Sequence, residues 1–238
     1  MTTCRPAKTP LDPSLPLLKV QQSDKRADVL LYQEIVGSLN HLTVSKLSQF
    51  LIDPTETHMS AARHVLRYLK YSHHYSITYG RSPNLNVLGF ADADWGSDVN
   101  DRTSFTGYVF MINNGAVTWT SHKQSSVALS TMEAEYMSLS DAAREAIARQ
   151  HFLDDLRILV NTPVLHSDNQ AALSIVLNPV QYQRSKHIAI RYHFIRQAAQ
   201  NDMITIDYVP MDEQIADVLT KALKPVKHLK AVKLLRLC

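Results

Sequence analysis

From residue 85 to about residue 223 the apolar residues repeat with strand and helix periods in the order β, β, β, α, β, α, α, β, α. Few architectures bury the apolar faces of such a series, and a mixed sheet flanked by helices is the economical one. Strands are expected at 85–92, 105–112, 116–121, 164–168 and 203–209, and the Asn113-Asn114-Gly115 step between the second and third is a tight hairpin signal. Helices are expected at 130–159, 170–177, 185–200 and 212–223. The last stretch, 224–236, is rich in Lys and Leu and reads as a frayed helix or a severed continuation.

Ahead of the sheet, four prolines and a polar run over residues 1–27 describe an extended leader without a core, a tether. A small helical unit follows at 28–84. Its first helix carries Leu30, Leu31, Ile35, Val36, Leu39 and Leu42, and Asp53-Pro54-x-Glu56 reads as the capping box of the second, with a short strand at 76–79 closing the unit. The second helix sets Met59, Ala62, Val65, Leu66 and Leu69 on one face and Arg63, Arg67 and Lys70 on another. Taken alone, that basic stripe reads first as a solvated surface and second as a face that tracks phosphates.

Composition narrows the class. With 45% apolar and 20% charged residues the chain buries a core, and no apolar run approaches the ~20 residues of a membrane span, so a soluble intracellular protein without a membrane partner is expected. The two cysteines, Cys4 and Cys238, lie too far apart in sequence for a disulfide framework or a cysteine-based zinc site. A net charge of +3 does not by itself point to a polyanion.

Asp92 and Asp168 each follow an apolar run and close a strand, where open α/β sheets place their sites. Either one alone reads as a cap or turn residue. Two at the same sheet edge weaken that reading. In Ser130-Thr131-Met132-Glu133-Ala134-Glu135, Ser130 and Glu133 have capping-box spacing, which leaves Glu135, rotated by roughly 200° around the helix, without a local task. Asp217 alone would be a surface acid near a helix start, but Ile215, Ala216, Val218 and Leu219 surround it with apolar groups. Carboxylates that converge this way repel unless hard cations neutralise them, and Mg²⁺ is the natural guest. Two such ions about 3.5–4 Å apart serve phosphodiester displacement.

Six segments then carry a resemblance: Ala91-Asp92-Ala93-Asp94-Trp95; Arg102-Thr103-Ser104-x-Thr106-Gly107-Tyr108; Leu129-Ser130-Thr131-x-Glu133-Ala134-Glu135-Tyr136; Ser167-Asp168-Asn169-Gln170; Lys186-His187-Ile188 with Arg191-Tyr192-His193; and Ala216-Asp217-x-Leu219-Thr220-Lys221. In this order they resemble the ribonuclease H region of copia-type retrotransposon polyproteins, over residues 85–225. Val36-Gly37-Ser38-Leu39 and His64-Val65-Leu66-Arg67-Tyr68-Leu69-Lys70 resemble the segment that joins the reverse transcriptase to that nuclease. The resemblance implies an α/β, ribonuclease H-like mixed five-stranded sheet, three antiparallel strands then parallel ones, with a mainly helical N-terminal unit. Residues 226–238 are left as a basic tail.

It also implies a metal-dependent endonuclease that hydrolyses the RNA strand of RNA–DNA hybrids. Asp92, Glu135, Asp168 and Asp217 would hold two Mg²⁺, which Mn²⁺ can replace, with Asp94 the competitor for the first place. Asp92 and Asp168 would bridge or flank the ions, Glu135 would hold the ion nearer the leaving 3′ oxygen, and Asp217 the ion that activates water. Asn169, Gln170, Lys186, His187, Arg191, Arg63, Arg67 and Lys70 become candidate nucleic-acid contacts, and the reverse transcriptase portion of a polyprotein a candidate partner. Three departures stand against the resemblance. No Tyr-x-Asp-Asp motif of a polymerase is present, a short stretch is skipped between Val44 and Ser45, and Val209-Pro210 runs into Asp212 without a loop histidine, for which His187 or His193 is a weak substitute. The rival reading is an inactive retrotransposon remnant that keeps the fold and binds nucleic acid weakly.

Overall fold

The computed structural model describes residues 5–37, 42–80, 85–177 and 186–237. Strands β1 (Val87–Asp94), β2 (Phe105–Ile112), β3 (Gly115–Lys123), β4 (Val164–Ser167) and β5 (Thr205–Tyr208) form one sheet in the order β3-β2-β1-β4-β5. The β1–β2 and β2–β3 pairs are antiparallel, and the β1–β4 and β4–β5 pairs are parallel. That is the mixed five-stranded arrangement the resemblance implies. The hairpin turn holds Asn113 and Asn114 at φ 50° and 65°, the left-handed region that asparagine tolerates.

Alternation along the strands divides the core. Phe110, Val87, Ala91 and Leu165 face α4 (Thr131–Asp155), α5 (Gln170–Leu177) and α6 (Lys186–Gln200). Val109, Met111 and Phe90 face the other way, toward Ile215 and Leu219 beside the one-turn α7 (Asp217–Thr220) and toward Leu234 of α8 (Pro225–Leu234). The layers are therefore helix, sheet, helix, and a fully buried side chain such as Phe110 stabilises them by roughly 1.5–3 kcal/mol. Among the described residues no helix is long and apolar enough to cross a membrane.

Several boundaries differ from expectation, each for a local reason. Helix α4 stops at Asp155 rather than near Leu159, because Arg157 turns to φ 58° and Ile158 N–H donates to Leu153 O, a Schellman closure. Of the expected helix 212–223 only the four residues of α7 are helical. The Gln214 side chain is buried, donating to Ala91 O (3.0 Å) and accepting from Ala216 N–H (3.2 Å), and these bonds postpone the helix to Asp217. Asp217 is thus the first residue of α7, not a residue one and a half turns in. The basic tail is an ordered helix, α8, and the expected strand at 76–79 is reduced to a bridge between Ile77 and Leu237.

The N-terminal helices α1 (Val29–Gly37), α2 (Leu42–Leu47) and α3 (Glu56–Ser72) pack around Tyr32, Val36, Leu47, Phe50, Met59 and Ala62. The skipped stretch at Val44 falls inside α2, whose helical turn is uninterrupted. The cap of α3 is Thr55 rather than Asp53: its hydroxyl accepts from His58 N–H, while His58 Nδ1 accepts from Thr55 N–H, and Pro54 lies ahead of the cap. The leader has no helix or strand of its own in its described part, but it does not hang free. Leu18 O and Thr9 O meet His58 Nε2 and His64 Nε2 of α3 at 3.0 and 2.8 Å. Leu39 lies outside the described residues, as do Cys4 and Cys238.

Gly107 of β2 decides how closely the two layers meet at the site. A Cβ there would stand 2.7 Å from Thr220 Cγ2 and 2.8 Å from Leu219 Cβ. Gly107→Ala is expected to destabilise the fold by about 1–3 kcal/mol, read as a lower urea midpoint. An unchanged midpoint would show that α7 is not seated on β2 as described. A second test concerns Asp141 of α4, which pairs with Arg191 of α6 (2.8 Å), Arg144 and His122. Burial pushes its carboxyl up, but His122, Arg191 and Arg144 together outweigh that and hold it at about 2, below the usual 3.8. A depressed folded-state pKa contributes stability above pH ~4 that is lost as pH falls toward 2. Asp141→Asn should therefore lose less melting temperature between pH 5 and pH 2.5 than the unmodified chain; an equal loss refutes the pairing.

Candidate active site

β1 and β4 lie side by side and parallel, so their C-terminal ends bring Asp92 and Asp168 to one sheet edge. Helix α4 starts beside that edge because Ser130 caps it. Ser130 Oγ accepts from Glu133 N–H (3.2 Å), and the Glu133 carboxylate turns back to accept from Leu129 N–H (3.0 Å). Glu133 is spent on the cap, as its spacing predicts, and Glu135 faces the acids. One oxygen each from Asp92, Glu135 and Asp168 lie within 4.8 Å of one another.

Asp92 is fully buried. Its Oδ1 accepts from Lys221 Nζ at 3.0 Å, and its Oδ2 accepts a short bond from the Thr220 hydroxyl. Lys221 Nζ also reaches Asp217 Oδ1 at 2.6 Å, so one ammonium ties Asp217 to the other acids. Asp217 thereby joins the cluster from the far side, bridged rather than packed among the three. Below Asp92, Ser138 of α4 donates to its backbone carbonyl (2.7 Å), locking α4 to the strand end.

The electrostatics are those of a crowded anionic pocket. Burial, then repulsion from Asp92 and Asp168, raises the Glu135 carboxyl well above its ordinary range, against a weaker pull from Lys221. Burial, then Asp92, likewise raises Asp168 and Asp217. The Lys221 ammonium moves up because its attraction to Asp92 and Asp217 exceeds the cost of its burial. Glu135 Oε2 is buried without a hydrogen-bond partner. A buried carboxylate oxygen without a donor costs free energy that a divalent cation offsets, and an all-oxygen donor set of this kind fits Mg²⁺.

The competitor, Asp94, has another task. It accepts short bonds from Phe105 N–H and the Ser97 hydroxyl, stands 3.8 Å from Lys46, and is raised to about 6, chiefly by burial. It fastens the loop between β1 and β2 and stays outside the cluster.

Among the expected nucleic-acid contacts, Asn169 is half-buried and its carbonyl oxygen accepts from Ala172 N–H (3.0 Å), capping α5, while Gln170 beside it is exposed. Arg191 is committed to Asp141 and to Met137 O. The side chains of Lys186 and His187 lie outside the described residues. The stripe on α3 is divided: Arg63 and Lys70 are exposed, whereas Arg67 lines a 350 Å³ cavity that also borders Lys46, His64 and Asn100.

Sequence reasoning passed over Lys221, Thr220 and Gln214. The four-residue step from Asp217 to Lys221 is a helical ion-pair signal. Contacts with Asp92, nearly 130 residues away, carry no signal in sequence.

A retrovirus-related Pol polyprotein from transposon RE1 of Arabidopsis thaliana is 37% identical over 233 residues, 94% of this chain. Over nearly its whole length the chain is homologous to one segment of the Pol polyproteins of copia-type retrotransposons. It spans 16% of the length of that Pol relative. A secreted RxLR effector protein 161 of Plasmopara viticola is 47% identical over 126 residues, 49% of this chain and 89% of its own. The crystal structure of an LC11 RNase H1 in complex with RNA/DNA hybrid aligns over 57% of this chain and 94% of its own, with 14% identity and a TM-score of 0.44. No protein-family model matches the chain.

The repulsion at this site is measurable. Glu135→Gln removes a buried like charge and should stabilise the metal-free chain by about 1 kcal/mol, raising the melting temperature by about 2–4 °C. A lower melting temperature would mean that Glu135 is not repelled by its neighbours.

Proposed function

We propose that the chain is a divalent-metal-dependent ribonuclease H, hydrolysing the RNA strand of RNA–DNA hybrids within a Pol polyprotein. The observation that carries this reading is the convergence of Asp92, Glu135 and Asp168 within 4.8 Å, with a buried Glu135 oxygen left without a partner. Homology to the Pol polyproteins agrees with it. Residues 85–225 would form the nuclease and 28–84 a connection to the reverse transcriptase, behind the 1–27 leader and ahead of the 226–238 tail.

Asp92, Glu135, Asp168 and Asp217 would hold two Mg²⁺, or Mn²⁺ in their place. Bound there, the ions supply Lewis-acid stabilisation of phosphoryl charge and make water a better nucleophile. The chain's own groups do the rest. Thr220 holds Asp92 in one orientation, Ser138 and Gln214 hold the strand end against α4 and the turn before α7, and Lys221 screens Asp92 from Asp217. The Asn169 amide NH₂, whose carbonyl is spent on the α5 cap, and the exposed Gln170 stand next to Asp168, where contact with a 2′-hydroxyl would select RNA.

One observation favours a second reading, the inactive remnant. The Lys221 ammonium already neutralises Asp92 and Asp217 from within, and a chain that needs no metal to hold its acids together can bind nucleic acid without cutting it.

Incubation with Mg²⁺ or Mn²⁺ and a labelled RNA–DNA hybrid separates the two. The enzyme reading expects cleavage of the RNA strand that Asp168→Asn slows by about 100-fold or more, and a melting temperature that rises with Mg²⁺. No cleavage by either protein, with no Mg²⁺-dependent shift, favours the remnant. Equal cleavage by both shows that the site is misplaced.

A further inference from the structure

Charge along this chain is divided unevenly. Residues 218–238 hold five Lys and one Arg and no acid, while the residues before them carry more Asp and Glu than Lys and Arg. Residues Pro225–Leu234 of this basic stretch are folded as α8. Its inner face, His228, Ala231 and Val232, is buried against the body, and His228 Nε2 meets Tyr68 Oη of α3 at 3.0 Å. That anchoring fixes which residues point outward: Lys224, Lys227, Lys230, Lys233 and Arg236 are all exposed. Within α8, Lys227, Lys230 and Lys233 stand three residues apart, and at 3.6 residues per turn they follow a slanting ridge over roughly a third of the circumference.

The ridge begins at the candidate active site. A small cleft is lined by Asp212 and Asp217 together with Lys227 and Lys230. Of the ridge cations, Lys230 pairs with Asp212 at 2.6 Å; no ion pair holds Lys227 or Lys233 among the described residues. A solvated basic helix needs no particular neighbour. This one runs outward from a carboxylate site whose own cation, Lys221, is held between Asp92 and Asp217, so a polyanion entering there finds its unpaired positive charge on the ridge.

We propose that Lys227 and Lys233, with Lys230 between them, track the phosphodiester backbone of a duplex whose strand lies at the carboxylates. The ridge is a docking surface for nucleic acid, distinct from the stripe on α3 and from the acids. It rests on the nuclease reading for the identity of the duplex. Each ammonium neutralises a phosphate and releases condensed counterions, so the ridge contributes affinity that weakens with salt and carries no sequence preference.

The test uses the full chain with Lys227→Gln and Lys233→Gln together, which spares the Lys230–Asp212 pair. Lys19→Gln with Lys25→Gln is the charge-matched control. Binding of a fluorescent RNA–DNA hybrid is followed by anisotropy in Ca²⁺ across a salt series, and cleavage in Mg²⁺ gives kcat and KM. The ridge variant should bind roughly tenfold more weakly at low salt, with a log–log salt slope shallower by about 1–2, each lost phosphate contact removing a little under one unit. Its KM should rise with kcat unchanged, and the control should match the unmodified chain in every measurement.

Unchanged affinity and slope in the ridge variant, with cleavage intact, overturn the ridge and leave the nuclease standing. No cleavage by the unmodified chain, with ridge-dependent binding retained, overturns the nuclease and leaves the ridge. An equal loss in the control reduces the effect to net charge and overturns the ridge. Ridge-dependent binding to phosphatidylserine vesicles without any to the hybrid overturns it in favour of a membrane surface.

Discussion

Mutual repulsion of carboxylates at one end of a sheet is the constraint around which the rest of this molecule is arranged. Asp92, Glu135 and Asp168 stand closer together than free acids would, with Asp92 and Glu135 buried and Asp168 half-buried. Such a cluster persists only if the surrounding fold enforces it and a cation offsets it. Lys221 supplies part of the offset by bridging Asp92 and Asp217. The partnerless Glu135 oxygen marks what remains unbalanced.

Enforcement comes from both layers. On one side, α4 is capped by Ser130 and bolted to the end of β1 through Ser138, so Glu135 has no room to withdraw. On the other, α7 rests on β2 only because Gly107 has no side chain, and the short helix delivers Thr220 and Lys221 to Asp92. The long-range hydrogen bond from Gln214 to Ala91 keeps the preceding turn from extending α7 backward. Stability is given up at the carboxylates and recovered in the apolar layers above and below the sheet. This is the pattern expected where a strained site sits on a rigid scaffold.

Much of this was legible beforehand. β2 and α5 fall on the expected residues, because strand alternation and helical period were unambiguous there and turn residues bounded them. The separation of Glu133 from Glu135 was legible too, since a capping box is local and leaves the second acid unexplained. Local rules failed at α7, at the cap of α3 and in the tail. A buried Gln214, a His58 that answers Thr55, and a helix stabilised by its contact with Tyr68 all depend on partners distant in sequence or on choices between equally plausible caps.

The sequence by itself determined the order of elements, the two strands that bring Asp92 and Asp168 together, although β1 runs two residues past Asp92 to Asp94, and the helix face that carries Glu135. These follow from periodicity and capping, which act over a few residues. Only the tertiary structure decided that Asp94 fastens a loop, that Arg191 is spent on Asp141, that Lys221 stands between two acids, and that the basic tail folds into a ridge beside Asp217. The reason is physical. A side chain's charge and hydrogen-bonding capacity are set by its identity, but which partner consumes them is set by what folding brings within about 3 Å, and that partner can lie more than a hundred residues away.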